Sequence, residues 1–450
     1  MDYLDTLSHF ASGLDYAKLD PEVKDQVGWI LADTVAAIVA GSAEPELRAI
    51  ATRQSAAPHH AAQLIGLAQN STPEAAAFVN GSAGTFLEMD EGNRFSRGHP
   101  AIHVIPAALA LSQERQADAA QFMAAVVVGY EVGSRFGAAS QLRGAMHPHG
   151  TWGTLGAAAA CARIAEMDHK GMRQTINIAA SLTTATSKQT MLEGGLVRNV
   201  YAGLSNRHGL LALSLTECGF TGEHDGPSSL LGNIISESFQ ADAVVDGLGQ
   251  DWHVMHNYFK MHSCCRYNHG TLDAIDHMSE VEKLPAIADI DRIEVDTYHL
   301  AAELNDPAPQ NTLAAKFSVP FAVATRLVTN SSALSSFTWE AVRNPAILAL
   351  AQKVSVSHDP AMSARLPMER PAKVTIHLKD GRQRVGQAGV NRGDDASPYT
   401  RAELRDKFMD LTGRIWPKAH CEKLLQVSLD LAHLKTPFGA WTSLLSHPAH

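Results

Sequence analysis

The chain of 450 residues is 45% hydrophobic and 19% charged, a balance that predicts a core-rich globular protein and excludes a disordered one. Its formal net charge of −10 excludes a general binder of nucleic acid or of anionic membranes, so an anionic ligand would need a local basic pocket. The length exceeds that of a single hydrophobic core and predicts two domains. We expect no membrane span, because no apolar run approaches about 18 residues, and no signal peptide, because the first residues are acidic. Five cysteines without framework spacing predict reduced thiols and a cytoplasmic location.

Helical signals fill the first half of the chain. Asp20 and Pro21 open a helix that runs to Ala40 and ends at Gly41. Pro106 should kink or break a later helix, because proline lacks the N–H that the helical ladder needs. The further predicted helices are 73–88, 101–114, 117–136, 173–187 and 205–217.

A polar turn at 147–150 runs into a predicted helix made almost entirely of small side chains. Pro148 keeps the turn out of the helix, and Thr151 is the predicted N-cap. A helix so poor in large side chains is useful only where other helices approach it closely. We therefore predict a central helix whose first turn presents His147 and His149 to a cavity. The alternative is a buried turn of ordinary polar residues.

Strands are predicted only in the second half of the chain. Alternating patterns predict strands at 291–298 and 353–357 and a hairpin of 372–378 with 382–390. Helices are predicted around them at 271–283, 312–329, 339–352, 401–412 and 417–434.

Strands and helices segregate in this half, which is typical of an α+β arrangement. The predicted fold is therefore mostly α. We expect a large all-helical domain built from both chain ends, 1–269 and 398–450, and a smaller α+β domain inserted at 270–397.

Four segments carry the residues that could perform chemistry: 88–100, 147–151, 198–201 and 260–269. They offer carboxylates, histidines and cations. The chain has no nucleophile elbow, no phosphate-binding loop and no dinucleotide fingerprint, so acyl transfer, nucleotide chemistry and classical NAD binding lose support.

A metal site must be weighed, because histidines and cysteines crowd the stretch 253–269. The pairs Cys-x-x-Cys and His-Glu-x-x-His are both absent, and the adjacent Cys264 and Cys265 are poor joint ligands for one zinc ion. We therefore expect no metal, and a packed loop with reduced thiols at the domain boundary is the preferred interpretation.

Several motifs, taken together, resemble one known family. Gly98-His99-Pro100, the turn 146–151, Tyr201-Ala-Gly203, Ser263 to Tyr267 and Ala315 to Ser318 occur in the same order as in the MmgE/PrpD family. Lys407-Phe408 fits the C-terminal helix of that family. The resemblance runs over nearly the whole chain, and five collinear motifs are far more specific than one.

The family includes 2-methylcitrate dehydratase, cis-aconitate decarboxylase and iminodisuccinate epimerase. The resemblance implies a helical domain, a smaller α+β domain, a cleft between them and a homodimer. It also implies a small anionic polycarboxylate as substrate and no metal or organic cofactor.

Carried over by position, the resemblance implies Asp90, His99 and His147 as catalytic residues. Arg198 stands where relatives have a lysine, and Tyr201 stands where they have a histidine. Because arginine stays charged and grips carboxylates bidentately, Arg198 is interpreted as a substrate clamp. The expected substrate-binding residues are His149, Arg198, Tyr201, Cys265, Arg266 and Lys316.

Cys265 stands where the decarboxylase has a histidine, which weakens the prediction that this chain is a decarboxylase. The leading prediction is a lyase that dehydrates a small hydroxy-polycarboxylate such as a 2-methylcitrate-like acid. One of His99 and His147 would abstract a proton next to a carboxylate, and the other, tuned by Asp90, would protonate the leaving hydroxyl or return a proton. The alternatives are an epimerase or isomerase, a decarboxylase, and a dicarboxylate-binding protein without chemistry.

Three of these residues also have ordinary structural interpretations. His149 could simply bond to nearby backbone, Lys316 could extend its ammonium from a helix, and Arg266 could tie the two domains together.

Overall fold

The computed structural model describes residues 2–55 and 62–446. These residues are mostly helical, as predicted, with a few small sheets. Residues 1, 56–61 and 447–450, which include both ends of the predicted helical domain, lie outside the described residues. Within the described ranges no individual helix has both the length and the apolarity of a membrane span, and one pair meets that test only when its two helices, bent by 92°, are taken together.

The first half of the described chain is a succession of helices. Their bounds are α1 (Tyr3–Gly13), α2 (Pro21–Ser42), α3 (Pro45–Gln54), α4 (Pro73–Phe86), α5 (Pro100–Arg115), α6 (Ala119–Ala138), α7 (Trp152–Ile164), α8 (His169–Ser181), α9 (Lys188–Leu192) and α10 (Tyr201–Glu217). The predicted helix at 173–187 is wrong in its bounds, because Asp168 caps α8 earlier and Ser187 caps a separate α9.

The central helix is α7, which packs against α5, α6, α8 and α10. Its small side chains allow close approach. A Cβ atom built on Gly156 would lie 2.7 Å from the Gly129 carbonyl oxygen of α6, a distance that real Cβ atoms do not adopt. The prediction of a small-residue helix surrounded by other helices is therefore confirmed.

Pro106 lies inside α5, and the predicted break does not occur. Proline removes the N–H that would bond to the Ile102 carbonyl, and the side chain of Asn206 from α10 replaces it. Asn206 Nδ2 donates to Ile102 O at 2.8 Å, and Asn206 Oδ1 accepts from Ala107 N at 2.8 Å. A single amide therefore repairs the hydrogen-bond ladder on both sides of the proline.

Thr151 occupies the N-cap position of α7 but does not cap it with its side chain. Its hydroxyl donates to the Pro148 carbonyl at 2.5 Å instead. The predicted N-cap position is therefore confirmed without a capping bond, because the backbone of Thr151, at φ −98° and ψ −112°, is outside the extended region from which an N-cap side chain accepts the next N–H groups.

Short strand pairs lie among the helices: β1 (Ala62–Gln63) with β2 (Asn70–Ser71), β3 (Gly92–Asn93) with β6 (Asn257–Tyr258), and β4 (Ser140–Leu142) with β5 (Ser236–Phe239). The pair β3–β6 joins the predicted charged loop to the start of the second half of the chain.

The second half holds the one larger sheet among the described residues. Its strands are β7 (Ile290–Thr297), β8 (Val354–His358), β9 (Ala372–Leu378) and β10 (Gln383–Ala388), in the order β10-β9-β7-β8. β9 and β10 form the predicted antiparallel hairpin, in register from Ala372↔Ala388 to His377↔Gln383. β7 pairs with β8 in parallel.

Helices of this half cover the sheet or return to the helical core. They are α11 (Arg266–Val281), α12 (His299–Ala302), α13 (Thr312–Lys316), α14 (Val319–Thr329), α15 (Trp339–Val342), α16 (Pro345–Ala351), α17 (Pro360–Ser363), α18 (Arg401–Thr412), α19 (Lys418–Ala432) and α20 (Phe438–Thr442). The helices predicted at 312–329 and 339–352 are each split, because Ser318 and Asn344 cap new helices just before a proline.

The described residues form two main hydrophobic cores. The larger core contains α1 to α7 together with α18 and α19, which return from the C-terminal end to pack on α2. The second core contains α11, α14 and the sheet. The boundaries predicted at 269/270 and 397/398 remain a prediction.

Candidate active site

A cavity of about 170 Å³ is lined by residues of both cores. Glu88, His99, His147 and Arg198 come from the helical part, and Cys265 comes from the first turn of the second part. The volume is well below the roughly 300 Å³ at which sites for drug-sized ligands begin, so the cavity suits a small ligand.

A buried lysine, Lys407, holds the loop that carries Asp90. Lys407 Nζ donates to Asp33 Oδ1 at 2.5 Å and to the Met89 carbonyl at 2.7 Å. The carboxylate of Glu91 accepts the Ala101 N–H at 2.9 Å, so the loop also caps the N-terminus of α5. His99 stands at that N-terminus, and its backbone position is therefore fixed from two sides.

His99 has one ring nitrogen engaged and one free. Its Nδ1–H donates to the Glu91 carbonyl at 2.6 Å, and Asp90 Oδ2 lies 3.0 Å from the same nitrogen. Burial raises the pKa of Asp90, but the charges of His99 and Lys260 outweigh it and hold this pKa below its usual value. Because Nδ1 carries the hydrogen, Nε2 keeps its lone pair for the cavity that His99 lines.

Both ring nitrogens of His147 face N–H donors. Its Nδ1 accepts the backbone N–H of His149 at 3.0 Å, and its Nε2 accepts the Nε–H of Arg198 at 3.4 Å. A neutral imidazole carries one hydrogen and one free lone pair, so it can satisfy only one of these two donors at a time. Burial, and then the positive charge of Arg198, lower the pKa of His147 well below its ordinary value.

Two further histidines lie against the first two. The ring of His149 meets those of His99, His103 and His147 edge-to-face, with centroids 4.9, 4.9 and 4.8 Å apart. Both ring nitrogens of His103 are buried without a hydrogen-bond partner among the described residues, and burial lowers the pKa of His103 to about 3. Gly153 leaves room for this ring, because a Cβ there would lie 2.5 Å from it.

A chain of alternating charges connects the two sides of the cavity. Glu88 forms ion pairs with Arg198 and, at 3.3 Å, with Lys260, which in turn lies 3.6 Å from Asp90. All four side chains are buried. Burial raises the pKa of Glu88, but Arg198 and Lys260 more than compensate and lower it. Arg198 therefore already holds a carboxylate, and the clamp role predicted for it would have to be shared with Glu88.

Cys265 and Arg266 line the cavity as predicted residues, but neither is free for acid–base chemistry. Burial and the charge of Glu88 raise the pKa of the Cys265 thiol to about 11, so the thiol stays protonated. Arg266 pairs with Asp394 at 3.0 Å and donates to the Arg392 carbonyl at 3.0 Å. Its contacts are those of a structural tie.

Tyr201 and Lys316 do not line the cavity. The Tyr201 ring packs behind His147, with centroids 5.8 Å apart. Lys316 Nζ lies 3.5 Å from the Phe337 carbonyl, and burial lowers the pKa of this amine to about 8. The substrate-binding role predicted for both residues therefore stays a prediction, without a place on the cavity wall to support it.

One group of possible metal ligands occurs among the described residues, formed by His262, Asp273 and Asp276. Protein donors already occupy it, since Arg392 N donates to Asp273 Oδ2 at 3.0 Å and Arg326 Nε donates to Asp276 Oδ1 at 2.8 Å. The group lies apart from the residues that line the cavity.

Comparisons with known proteins agree with this two-part architecture. The family model for the MmgE/PrpD N-terminal domain matches residues 5–228, and that for the MmgE/PrpD C-terminal domain matches residues 262–431. Together the two matched domains cover most of the chain, on both sides of the cavity. The chain belongs to the MmgE/PrpD family.

Curated relatives match along almost the full length. Cis-aconitate decarboxylase of Aspergillus terreus is 24% identical over 471 residues, which cover 98% of this chain and 95% of the relative. A cis-aconitate decarboxylase-like protein of Aspergillus oryzae is 22% identical, with 95% of each chain covered.

Several residues of the cavity were not singled out from the sequence. Glu88 and Lys260 stood at the ends of two candidate segments, and their charge in an apolar context was the available signal. His103 follows His99 by four residues, a spacing that places both on one helix face. Arg370 lies in no motif, so only the fold brings it to the cavity wall.

Proposed function

We propose that the chain is a cofactor-independent lyase that acts on a small polycarboxylic acid and moves a proton through His99. The observation that carries this proposal is the fixed ring of His99, with Nδ1 bonded to the Glu91 carbonyl beside Asp90 and Nε2 open to the cavity. An imidazole held in this way, with one nitrogen fixed and the other open, can take a proton from a bound ligand or return one to it.

The buried charges suit a carbanion that forms next to a carboxylate. Breaking a C–H or C–C bond at that carbon moves negative charge onto the carboxylate oxygens as an enolate. Arg198 lines the cavity as a buried cation that is paired with Glu88, and a fixed positive charge in a buried site can stabilise such an oxyanion. The Asp90 carboxylate stabilises the imidazolium whenever His99 holds the proton.

Decarboxylation of a cis-aconitate-like acid is the first candidate reaction. The electrons of the broken C–C bond stay on carbon, and that carbon needs one proton, which His99 can supply. This fits a site in which His147 stays neutral. The relatives named cis-aconitate decarboxylase support the same reaction. Cys265 stands where the resemblance implies a histidine in the decarboxylase, so we expect a substrate that differs from cis-aconitate in detail.

Dehydration of a hydroxy-polycarboxylate, the reaction predicted from the sequence, is the second candidate. The observation that favours it is the neutral ring of His147 at the cavity wall, which carries one N–H and can bond to a leaving hydroxyl. His99 would remove the proton from carbon and return it to the hydroxyl. Epimerisation by two bases has less support, because both ring nitrogens of His147 already face N–H donors.

Turnover measured by NMR in deuterated water tests the proposal. Wild type and H99Q, with the exposed-histidine variant H277Q as control, are incubated with cis-aconitate, citrate and 2-methylcitrate. Loss of CO₂ with uptake of one deuterium by the carbanion left behind indicates decarboxylation, and a new alkene without CO₂ indicates dehydration. Deuterium exchange alone indicates an epimerase. Absence of all three for wild type, or equal turnover by H99Q, would overturn the proposal.

A homodimer and a cytoplasmic location remain predictions. Analytical ultracentrifugation of the purified chain tests the first, and localisation of a tagged chain in its own cell tests the second.

A further inference from the structure

The cations around the cavity differ in whether a carboxylate already neutralises them. Arg198 pairs with Glu88, Arg266 pairs with Asp394, and Lys188 pairs with Glu303. Arg370 lines the same cavity, yet no Asp or Glu of the described chain forms an ion pair with it.

The Arg370 guanidinium is buried and under-bonded. The residue is only 5% exposed, and its Nη1 has no hydrogen-bond partner among the described residues. Its Nη2 has one long contact, 3.5 Å from the Arg94 carbonyl. The guanidinium lies over the Tyr258 ring at 5.4 Å. A buried positive charge is costly unless an anion pairs with it, so we expect an anionic ligand to bind at Arg370.

The backbone of Arg370 is fixed. Its N–H donates to the Gly389 carbonyl at 3.2 Å, and its carbonyl accepts from Asn391 Nδ2 at 3.1 Å. The next residues, Pro371 and Ala372, lead directly into β9. A side chain carried by such a position is pre-organised, and a ligand that binds it pays little ordering entropy.

A second arginine without a carboxylate partner lies nearby. Arg97 lines the mouth of the cavity and donates to the Ser140 carbonyl, and no ion pair involves it among the described residues. Its φ of 55° is in the left-handed region, which non-glycine residues rarely adopt. Although Arg97 is exposed at the surface, it lies close enough to Arg370 for that positive charge to act on it. Two neighbouring cations with no carboxylate between them are a ready receptor for a carboxylate.

We propose that Arg370, with Arg97 beside it, binds one carboxylate of the substrate. The inference rests on the proposed function and adds the anchor that the Arg198–Glu88 pair does not supply. A guanidinium binds a carboxylate through two parallel N–H bonds. Because the Tyr258 ring packs against both Arg370 and His99, at 5.4 and 6.1 Å, a ligand in this small cavity can reach both groups.

Calorimetric binding of tricarballylate (propane-1,2,3-tricarboxylate) tests the inference without turnover, because this acid has neither a double bond nor a hydroxyl. We expect R370Q to weaken binding about tenfold to a hundredfold, as for loss of a charge-assisted hydrogen bond. R97Q should weaken it by a smaller factor. The control R384Q removes a half-buried arginine of β10 outside the cavity, paired with Glu282, and should leave the Kd within about twofold.

Equal binding by R370Q and wild type would overturn the inference while leaving the proposed lyase to the turnover measurement. Wild type that binds no tricarballylate would also overturn it. If R370Q does not fold, a crystal structure of wild type with tricarballylate decides: a carboxylate oxygen within about 3.2 Å of the Arg370 guanidinium supports the inference, and its absence there refutes it.

Discussion

His99 and His147 face one cavity from two different elements, and the backbone gives them different chemistry. His99 donates its Nδ1–H to a carbonyl, beside a carboxylate, so its Nε2 can accept or return a proton. His147 faces N–H donors at both ring nitrogens, the His149 amide at Nδ1 and Arg198 Nε at Nε2, and burial keeps the ring neutral. The difference shows that the hydrogen-bond partners of the ring nitrogens decide the chemical role of a histidine. The motif in which the histidine occurs does not.

The largest expected effect concerns these two rings. H99Q should lower kcat by about 10³ to 10⁴, because it removes the group that transfers the proton. H147Q should lower kcat by only about tenfold to a hundredfold, because glutamine retains an N–H donor for the substrate. Steady-state kinetics on the acid that wild type consumes measure both. Equal losses in the two variants would contradict the different roles of the two rings. H277Q is the control for removal of an exposed histidine.

Cutting the charge chain between the two rings should cost stability. E88Q leaves Arg198 and Lys260 buried with less negative charge beside them, and removing one partner of a buried ion pair costs about 3–5 kcal/mol. Urea unfolding followed by tryptophan fluorescence gives the change in free energy. E217Q, which breaks the more exposed pair with Arg115, should cost at most about 1 kcal/mol. A similar cost for both variants contradicts the prediction.

The pH dependence of stability should reveal the titration of Glu91, the carboxyl group that caps the helix next to His99. Burial, opposed by the Ala101 N–H and assisted by Asp33 and Asp90, raises the pKa of Glu91 to about 8. The folded state then binds more protons than the unfolded state above the ordinary carboxyl pKa, so this contribution to stability is lost as pH rises towards 8.

E91Q should remove that slope, which is at most about 1.4 kcal/mol per pH unit for one proton. Unfolding free energies of wild type and E91Q at pH 5, 6, 7 and 8 measure the difference. Parallel curves for the two proteins would show that Glu91 titrates normally.

The smallest effect is expected for the buried ring of His103. H103L replaces an imidazole without hydrogen-bond partners by an apolar side chain, and should raise the free energy of unfolding by about 1 kcal/mol. The thermal midpoint measures this change, and kcat should stay within about threefold. A large loss of activity with unchanged stability would instead assign His103 to the proton transfer.

Local patterns in the sequence predicted the elements well where caps and periodicity agreed. The helix at 401–412 and the strand at 372–378 have the predicted bounds. Prolines inside apolar runs were the main source of error. Pro106 does not break α5, because Asn206 arrives from another helix, whereas Ser318 and Asn344 cap new helices next to a proline.

The candidate site was predicted less evenly. The geometry places His99, His147, His149, Arg198, Cys265 and Arg266 around one cavity, with Asp90 against His99. Lys316 and Tyr201 lie outside it, because their side chains follow the packing of their own core. The catalytic and binding roles themselves remain predictions until the variants are measured.

The sequence by itself determined the mostly helical fold, the central small-residue helix, the hairpin and the family, because these follow from spacing and from collinear motifs. It took the three-dimensional arrangement to reveal that His99 Nε2 opens to the cavity while both ring nitrogens of His147 face donors, that Glu88 pairs with Arg198, and that Arg370 reaches the cavity. Protonation and pairing depend on burial and on atoms a few ångströms away, and in this chain those atoms come from residues up to hundreds of positions apart.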